Sequence, residues 1–226
     1  MRDESQPAPA AAAPKAAQRR APKRQVEKSE AMIAALLKAT QDLLLEVGYS
    51  RLTTTMIAQR AQVSRGAMTH HFRSKEHLIT TAIDRHLHEV NEQLFAFAND
   101  MDRHVDADAT VDYLWAMMSD GLFYLTLEYL PEARHNEDFR LQVVPVVKEF
   151  HAGLEAIWDA LAKRYNVDPA YGAVLMNLTM CLIRGMIAQT IVRYDKSYFE
   201  AMLSEWKSLL KTQLRTAPTP PIGSPQ

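Results

Sequence analysis

Thr53-Thr54-Thr55-Met56-Ile57-Ala58-Gln59-Arg60-Ala61, the pair Gln62-Val63, and Ser64-Arg65-Gly66-Ala67-Met68-Thr69-His70-His71-Phe72-Arg73-Ser74-Lys75 form the stretch on which the fold turns. Thr53 is placed to cap a short helix through Ala61, Ser64 a second through about His71, and Ser74 a third, longer one. Ile57, Ala58 and Val63 are the apolar residues that would lock the short pair against a preceding helix. Two short helices joined by a tight turn predict a helix-turn-helix, whose second helix enters the DNA major groove while the first crosses the backbone.

The residue types on the second helix suit that role. Gly66 and Ala67 have almost no side chain, which permits close approach to bases and phosphates. Arg65 is able to donate a bidentate pair to guanine O6 and N7, or to hold a phosphate. Thr69, His70 and Lys75 are within reach of phosphates, as are the backbone N–H groups at the capped ends formed by Thr53, Thr54 and Ser64. His71 reads equally as a packing residue or a contact, and Phe72 as an anchor to the core. The candidate DNA-binding set is therefore Thr53, Thr54, Ser64, Arg65, Gly66, Ala67, Thr69, His70 and Lys75.

The run from Leu52 to Glu76 resembles the DNA-binding region of TetR/AcrR-type transcriptional regulators, with the likeness covering about residues 28–80. The resemblance implies a homodimeric, ligand-responsive regulator, usually a repressor, with a divergent all-helical C-terminal domain. Gln62 stands where that family usually has glycine, and a side chain there costs ~1 kcal/mol if φ is positive. Thr69 stands in place of a usual tyrosine, and Arg73 in place of a frequent proline.

Outside this stretch the chain reads as helix after helix. Ile33, Leu36, Leu37, Thr40, Leu44 and Val47 form one apolar face on a first helix, stopped by Gly48. Ser74 opens a helix to about Asn99, and another spans roughly Thr110–Leu130 and stops at Pro131. A long one follows from about Glu137 to Tyr165, which Pro145 would kink or split. Asp168-Pro169 opens a helix to about Val192, and Ser197 caps the last, to about Leu214. The expected fold is all-α: a three-helix helix-turn-helix domain over 26–74 and a helical effector-binding and dimerisation domain over 75–215. Proline-dense, core-poor segments predict a disordered basic Ala/Pro-rich arm over 1–25 and a disordered tail over 216–226.

Charge supports the division. Residues 1–75 carry 13 Lys and Arg against 6 Asp and Glu, whereas residues 76–226 carry 13 against 21. Phosphates attract the first part and are repelled by the second. The single cysteine, Cys181, excludes a disulfide framework and a multi-thiolate zinc site. The charged start Met1-Arg2-Asp3-Glu4 lacks the apolar core of a secretory signal, so the expected compartment is the cytoplasm. No nucleophile motif, phosphate-binding glycine loop or metal-ligand spacing is present, so neither an enzyme nor a cofactor or metal site is expected.

Residues 169–192 are almost continuously apolar, long enough for a membrane span, but Arg184 in the middle favours a buried helix. Phe199, Met202, Leu203, Trp206, Leu209 and Leu210 form an apolar stripe on the last helix. By resemblance, 169–214 is assigned to a homodimer, which would set two recognition helices ~34–36 Å apart over a pseudo-palindromic operator. Candidate ligand-binding residues are Trp115, Met118, Phe123, Phe150, Met176, Met180 and Arg184, each also readable as core. The expected effector is a small apolar or aromatic molecule, acidic if it is what pairs with Arg184. Otherwise Asp120, Glu128 or a residue across the dimer supplies the partner. Gly121, mid-helix, leaves room for a ligand or a neighbouring helix. Two other classes stay open at this point: an architectural DNA binder indifferent to sequence, and a carrier or enzyme whose helix-turn-helix is vestigial.

Overall fold

The computed structural model describes residues 17–104 and 106–217, with side chains described over 25–100 and 106–217. The element order is α1 (Ala17–Val47), α2 (Thr54–Arg60), α3 (Arg65–His71), α4 (Lys75–His104), α5 (Ala107–Met117), a π-helical turn (Met118–Leu122), α6 (Phe123–His135), α7 (Glu137–Tyr165), α8 (Pro169–Thr190) and α9 (Lys196–Thr216). There is no strand among the described residues.

The head forms as the caps predict. Thr53 accepts from the Met56 N–H at 3.2 Å, Ser64 from Ala67 at 3.2 Å, and Ser74 from His77 at 3.1 Å. Leu36, Leu44, Ile57, Ala58, Met68, Phe72, Leu78 and Ile79 bury together, so α1 to α4 share one core. Phe72 is an anchor. Arg60 clamps Glu46 through two bonds of 2.8 and 2.7 Å, fixing α2 to α1. That hydrogen bond holds the Glu46 carboxyl below the usual carboxylate range.

Behind the head, α4 and α7 make the most extensive helix pair. Gly153 permits it, because a Cβ there would run into Asn91 Oδ1 and lie 3.0 Å from Leu94 Cβ. On the far side α9 is tied to α8 by Trp206 Nε1 donating to Thr179 Oγ1 at 3.2 Å, and to α5 by Lys211 and Asp108 at 2.8 Å.

Several boundaries differ from the sequence reading. Helix α1 begins at Ala17, so residues 17–25 open a helix instead of belonging to the arm. Ala17, Gln18, Arg19, Arg20 and Ala21 are all strong helix formers. The remaining arm and most of the tail (1–16 and 218–226) lie outside the described residues. Helix α4 runs on past Asn99 to His104. The expected Thr110–Leu130 helix is broken at Asp120 and Gly121, where Gly121 has φ +102. Leu45 of α1 lies 3.7 Å from where its Cβ would be, so a neighbouring helix occupies the room that Gly121 leaves.

Pro131 does not stop α6. The stop comes at Asn136, whose Oδ1 caps α7 at Phe139 N and whose Nδ2 donates to Glu132 at 2.7 Å. Pro145 does not split α7. It and Leu141, whose carbonyl it leaves unbonded, are both exposed, so water hydrates that carbonyl. Asp195, not Ser197, caps α9: it accepts from Tyr198 N at 3.1 Å, and Ser197 donates to it.

Gln62 closes the α2–α3 turn with φ +56, a left-handed conformation that costs a side-chain-bearing residue ~1 kcal/mol. Gln62→Gly should therefore raise the free energy of unfolding by about 0.5–1 kcal/mol, part of the relief being offset by greater unfolded-chain entropy. Urea denaturation followed by circular dichroism checks this, and an unchanged or lower midpoint would refute it.

Candidate nucleic-acid interface and effector cavity

On the head, one face stays open. Arg65, Gly66, Thr69 and His70 are exposed, as are Thr53 and Ser64, whereas Thr54 and Ala67 are half-buried. Because the Thr53 and Ser64 hydroxyls already accept from helix N–H groups, they aim the helix ends more than they reach outward. Gly66 has no internal reason to be glycine, since a Cβ there would meet nothing within 4 Å and its φ is not positive. A missing side chain on an exposed helix end leaves space for something outside the chain. Lys75 departs from its expected phosphate role: its Nζ donates to the Tyr49 carbonyl at 2.7 Å and lies 4.5 Å from the Tyr49 ring centroid. Lys75 braces the inside of the head. His71, half-buried, rests edge-on against His70 with ring centroids 5.0 Å apart.

The second feature is an apolar cavity of about 560 Å³ between α6 and α7. Phe123, Thr126, Tyr129, Leu130 and Ala133 line it from α6; Val143, Val144, Val147 and Phe150 from α7. Met118 and Leu122 of the π-helical turn, Leu87 of α4 and Arg184 of α8 complete it. Of the expected ligand residues, Met118, Phe123, Phe150 and Arg184 meet here. Trp115, Met176 and Met180 do not line it: the methionines are buried in the core and Trp115 packs half-buried against it. Sequence reasoning missed Tyr129, Thr126, Arg134, Arg140, Lys148 and His151. The i, i+3, i+4, i+7 spacing of Thr126, Tyr129, Leu130 and Ala133 was the available signal, but the proline that seemed to end the helix obscured it.

Arg184 Nε is buried and has no hydrogen-bond partner. Of the internal carboxylates expected for it, Glu128 instead accepts from the Tyr49 N–H at 3.0 Å, and Asp120 lines a separate recess with His86 and Gln93. Every charged residue on the cavity wall is a cation, namely Arg134, Arg140, Lys148 and Arg184; there is no carboxylate among them. Within a segment as acidic as 76–226, that bias gives the cavity wall a positive potential. Burial pushes the Tyr129 hydroxyl up, against the smaller opposing pull of Thr126 and of the Arg184 charge.

Helix α8 is long and apolar enough to cross a membrane by composition. One of its faces, including Leu175, Met176, Met180, Ile183 and Ile187, is buried inside this chain. Val174, Leu178 and Cys181 on the other face are exposed, as is Leu209 of α9.

A capped helix-turn-helix with an open recognition face, mounted on a helical body, defines a DNA-binding transcriptional regulator. Residues 36–82 match the model of the bacterial regulatory proteins of the tetR family. A transcriptional regulator of helix-turn-helix type from Mycobacterium tuberculosis is 25% identical over 175 residues, spanning 73% of this chain and 88% of its own. Among solved structures, a TetR-family regulator from Mesorhizobium loti superposes with a TM-score of 0.69 at 15% identity, covering 81% of this chain and 96% of its own. FadR from Bacillus subtilis, solved in complex with stearoyl-CoA, superposes with a TM-score of 0.58 at 15% identity over 82% of this chain and 98% of its own. Over residues 36–82 the chain is thus similar to the tetR family, and its fold as a whole is that of the TetR-family structures it superposes on.

If Gly66 keeps space for DNA, Gly66→Leu should leave thermal stability unchanged or slightly raised, because leucine favours helix. The same change should cost at least tenfold in DNA affinity, a loss of ~1.4 kcal/mol. Fluorescence anisotropy beside a thermal melt separates the two. A fall in melting temperature with DNA affinity intact would place the role of Gly66 inside the fold instead.

Proposed function

We propose that the protein is a cytoplasmic transcriptional repressor that binds a pseudo-palindromic operator as a homodimer and is released by a small apolar or aromatic acid. The observation that carries the ligand reading is the Arg184 Nε, buried and unpartnered on the wall of an apolar cavity without carboxylates. A buried guanidinium Nε–H without an acceptor is costly, and a ligand carboxylate would supply one. Stearoyl-CoA, held by a protein of the same fold, pairs an apolar chain with an anionic head, the chemistry this cavity matches.

In this reading Arg65 reads a base edge or grips a phosphate, Thr69 and His70 touch the backbone, and Gly66 with Ala67 permits the approach. Thr53, Thr54 and Ser64 present the capped N-terminal N–H groups to phosphates. The body over 75–215 binds the effector and pairs with a second copy. Val174, Leu178 and Leu209, apolar and about half exposed on α8 and α9, are the natural cover for one another across a two-fold axis. The same cover explains why α8 is apolar all round without being a membrane span.

Two substitutions test this. Leu178→Glu should convert the dimer to a monomer in sedimentation velocity and weaken operator binding at least tenfold, since one half-site would then carry the whole contact. A dimer that survives it would refute the assigned interface. Arg184→Met should leave operator affinity within about twofold of the parent and reduce sensitivity to an acidic inducer ~10–100-fold, the usual worth of a charge-assisted hydrogen bond. Unfolding or loss of dimerisation in Arg184→Met would instead make the arginine structural.

A further inference from the structure

We propose that DNA binding by this protein takes up protons, through a recess at the end of α3 where His70, His71 and His77 stand together. The inference rests on α3 being the DNA-reading face, as proposed above, and makes pH a signal to which the head itself responds.

The recess holds about 620 Å³ and is lined by His70 and His71 of α3, Arg73 and Ser74 of the turn after it, His77 of α4 and Gln142 of α7. His70, Arg73 and Ser74 are exposed, and His71 and His77 are half-buried. His70 also belongs to the open recognition face with Arg65, Gly66 and Thr69, so the recess continues that face toward α4. The rings are held in place by one another and by the core anchor: His70 meets His71 edge-on, centroids 5.0 Å apart, and His77 tilts against Phe72 at 5.7 Å.

No carboxylate lines this recess, and Arg73 is the one permanent charge on its wall among the described residues. The carboxylates nearest in sequence on the flanking helices lie elsewhere. Glu76 of α4 acts on the Tyr49 hydroxyl, Asp84 is exposed two turns along α4 from His77, and Asp138 of α7 meets Gln142 through its backbone carbonyl at 3.1 Å. Lys75 is turned away to the Tyr49 carbonyl. The remaining groups are imidazoles, the side chain whose charge changes between about pH 5 and 8. His77 Nδ1 accepts from the Arg73 N–H at 3.4 Å. A backbone N–H only donates, so this ring is held as the neutral Nε2–H tautomer, and its charged form has to give up that bond. A DNA phosphate reverses the preference, since an anion beside imidazoles favours their charged forms. Phosphates take most of the contacts a protein makes to a duplex, and the recess opens beside the face that would meet them. The complex therefore binds more protons than its separated parts, and affinity rises as pH falls from about 8 to 6.

Isothermal titration calorimetry of the full chain on DNA from upstream of its own gene counts the protons directly, when run at about pH 7 in two buffers of different ionisation enthalpy. The wild type should take up about one proton per head, and its affinity should rise roughly fivefold per head between about pH 8 and 6, the effect of one imidazole whose charged form DNA favours tenfold. The double variant His70→Gln/His77→Asn removes two of the three titrating rings, while the asparagine Oδ1 keeps an acceptor for the Arg73 N–H. It should fold, as judged by its melting temperature, and take up at most about a third of the wild-type protons. Adding His71→Gln should remove the rest; if that half-buried change prevents folding, the double variant carries the test. DNA binding without proton uptake in the wild type, or with uptake unchanged in the folded double variant, would overturn the proposal and leave the α3 reading standing. Absence of DNA binding at every pH would overturn both.

Discussion

The bond from the Tyr49 N–H to Glu128 ties the turn after α1 to α6, on top of a core that the two parts share. Helix α4 carries one continuous core from the head, through Leu78, Ile79 and Ile83, into the body, through Leu87, Val90 and Leu94. Beside that core, α1, α4, α6 and α7 form a small polar and aromatic junction around one half-buried tyrosine. Hydrogen bonds to charged groups carry ~1.5–3 kcal/mol each, the same scale as typical allosteric coupling.

Much of the head was legible in sequence because it is specified locally. The caps at Thr53, Ser64 and Ser74, the stop at Gly48 and the strained turn at Gln62 each follow from one residue type meeting one backbone requirement. The all-helical body was legible for the same reason: apolar periodicity needs no partner to be recognised. The cavity was not, since it depends on how helices are phased against one another. The π-helical turn at Met118–Leu122 resets that phase, so residues before it, such as Trp115, lead elsewhere than residues after it. Met176 and Met180 belong to the face of α8 that fills the core, a distinction hydropathy does not make.

Arg184 and Lys75 are residues whose partner the sequence leaves open. Both are cations whose chemistry demands an acceptor. Sequence alone offered carboxylates for the first and phosphates for the second. The fold turns Lys75 inward to a backbone carbonyl and hands Glu128 to a backbone amide, which leaves Arg184 facing an apolar cavity. Long-range pairing of this sort is decided by the topology of α1, α4, α6 and α8 together.

The central claim is that the open face of α3 reads DNA sequence. Fluorescence anisotropy of the full chain on DNA from upstream of its own gene, with scrambled competitor across a salt series, tests it most directly. The account predicts tight binding that survives excess scrambled DNA, with log affinity falling linearly in log salt as phosphate contacts release counterions. Binding lost equally to any competitor would contradict it.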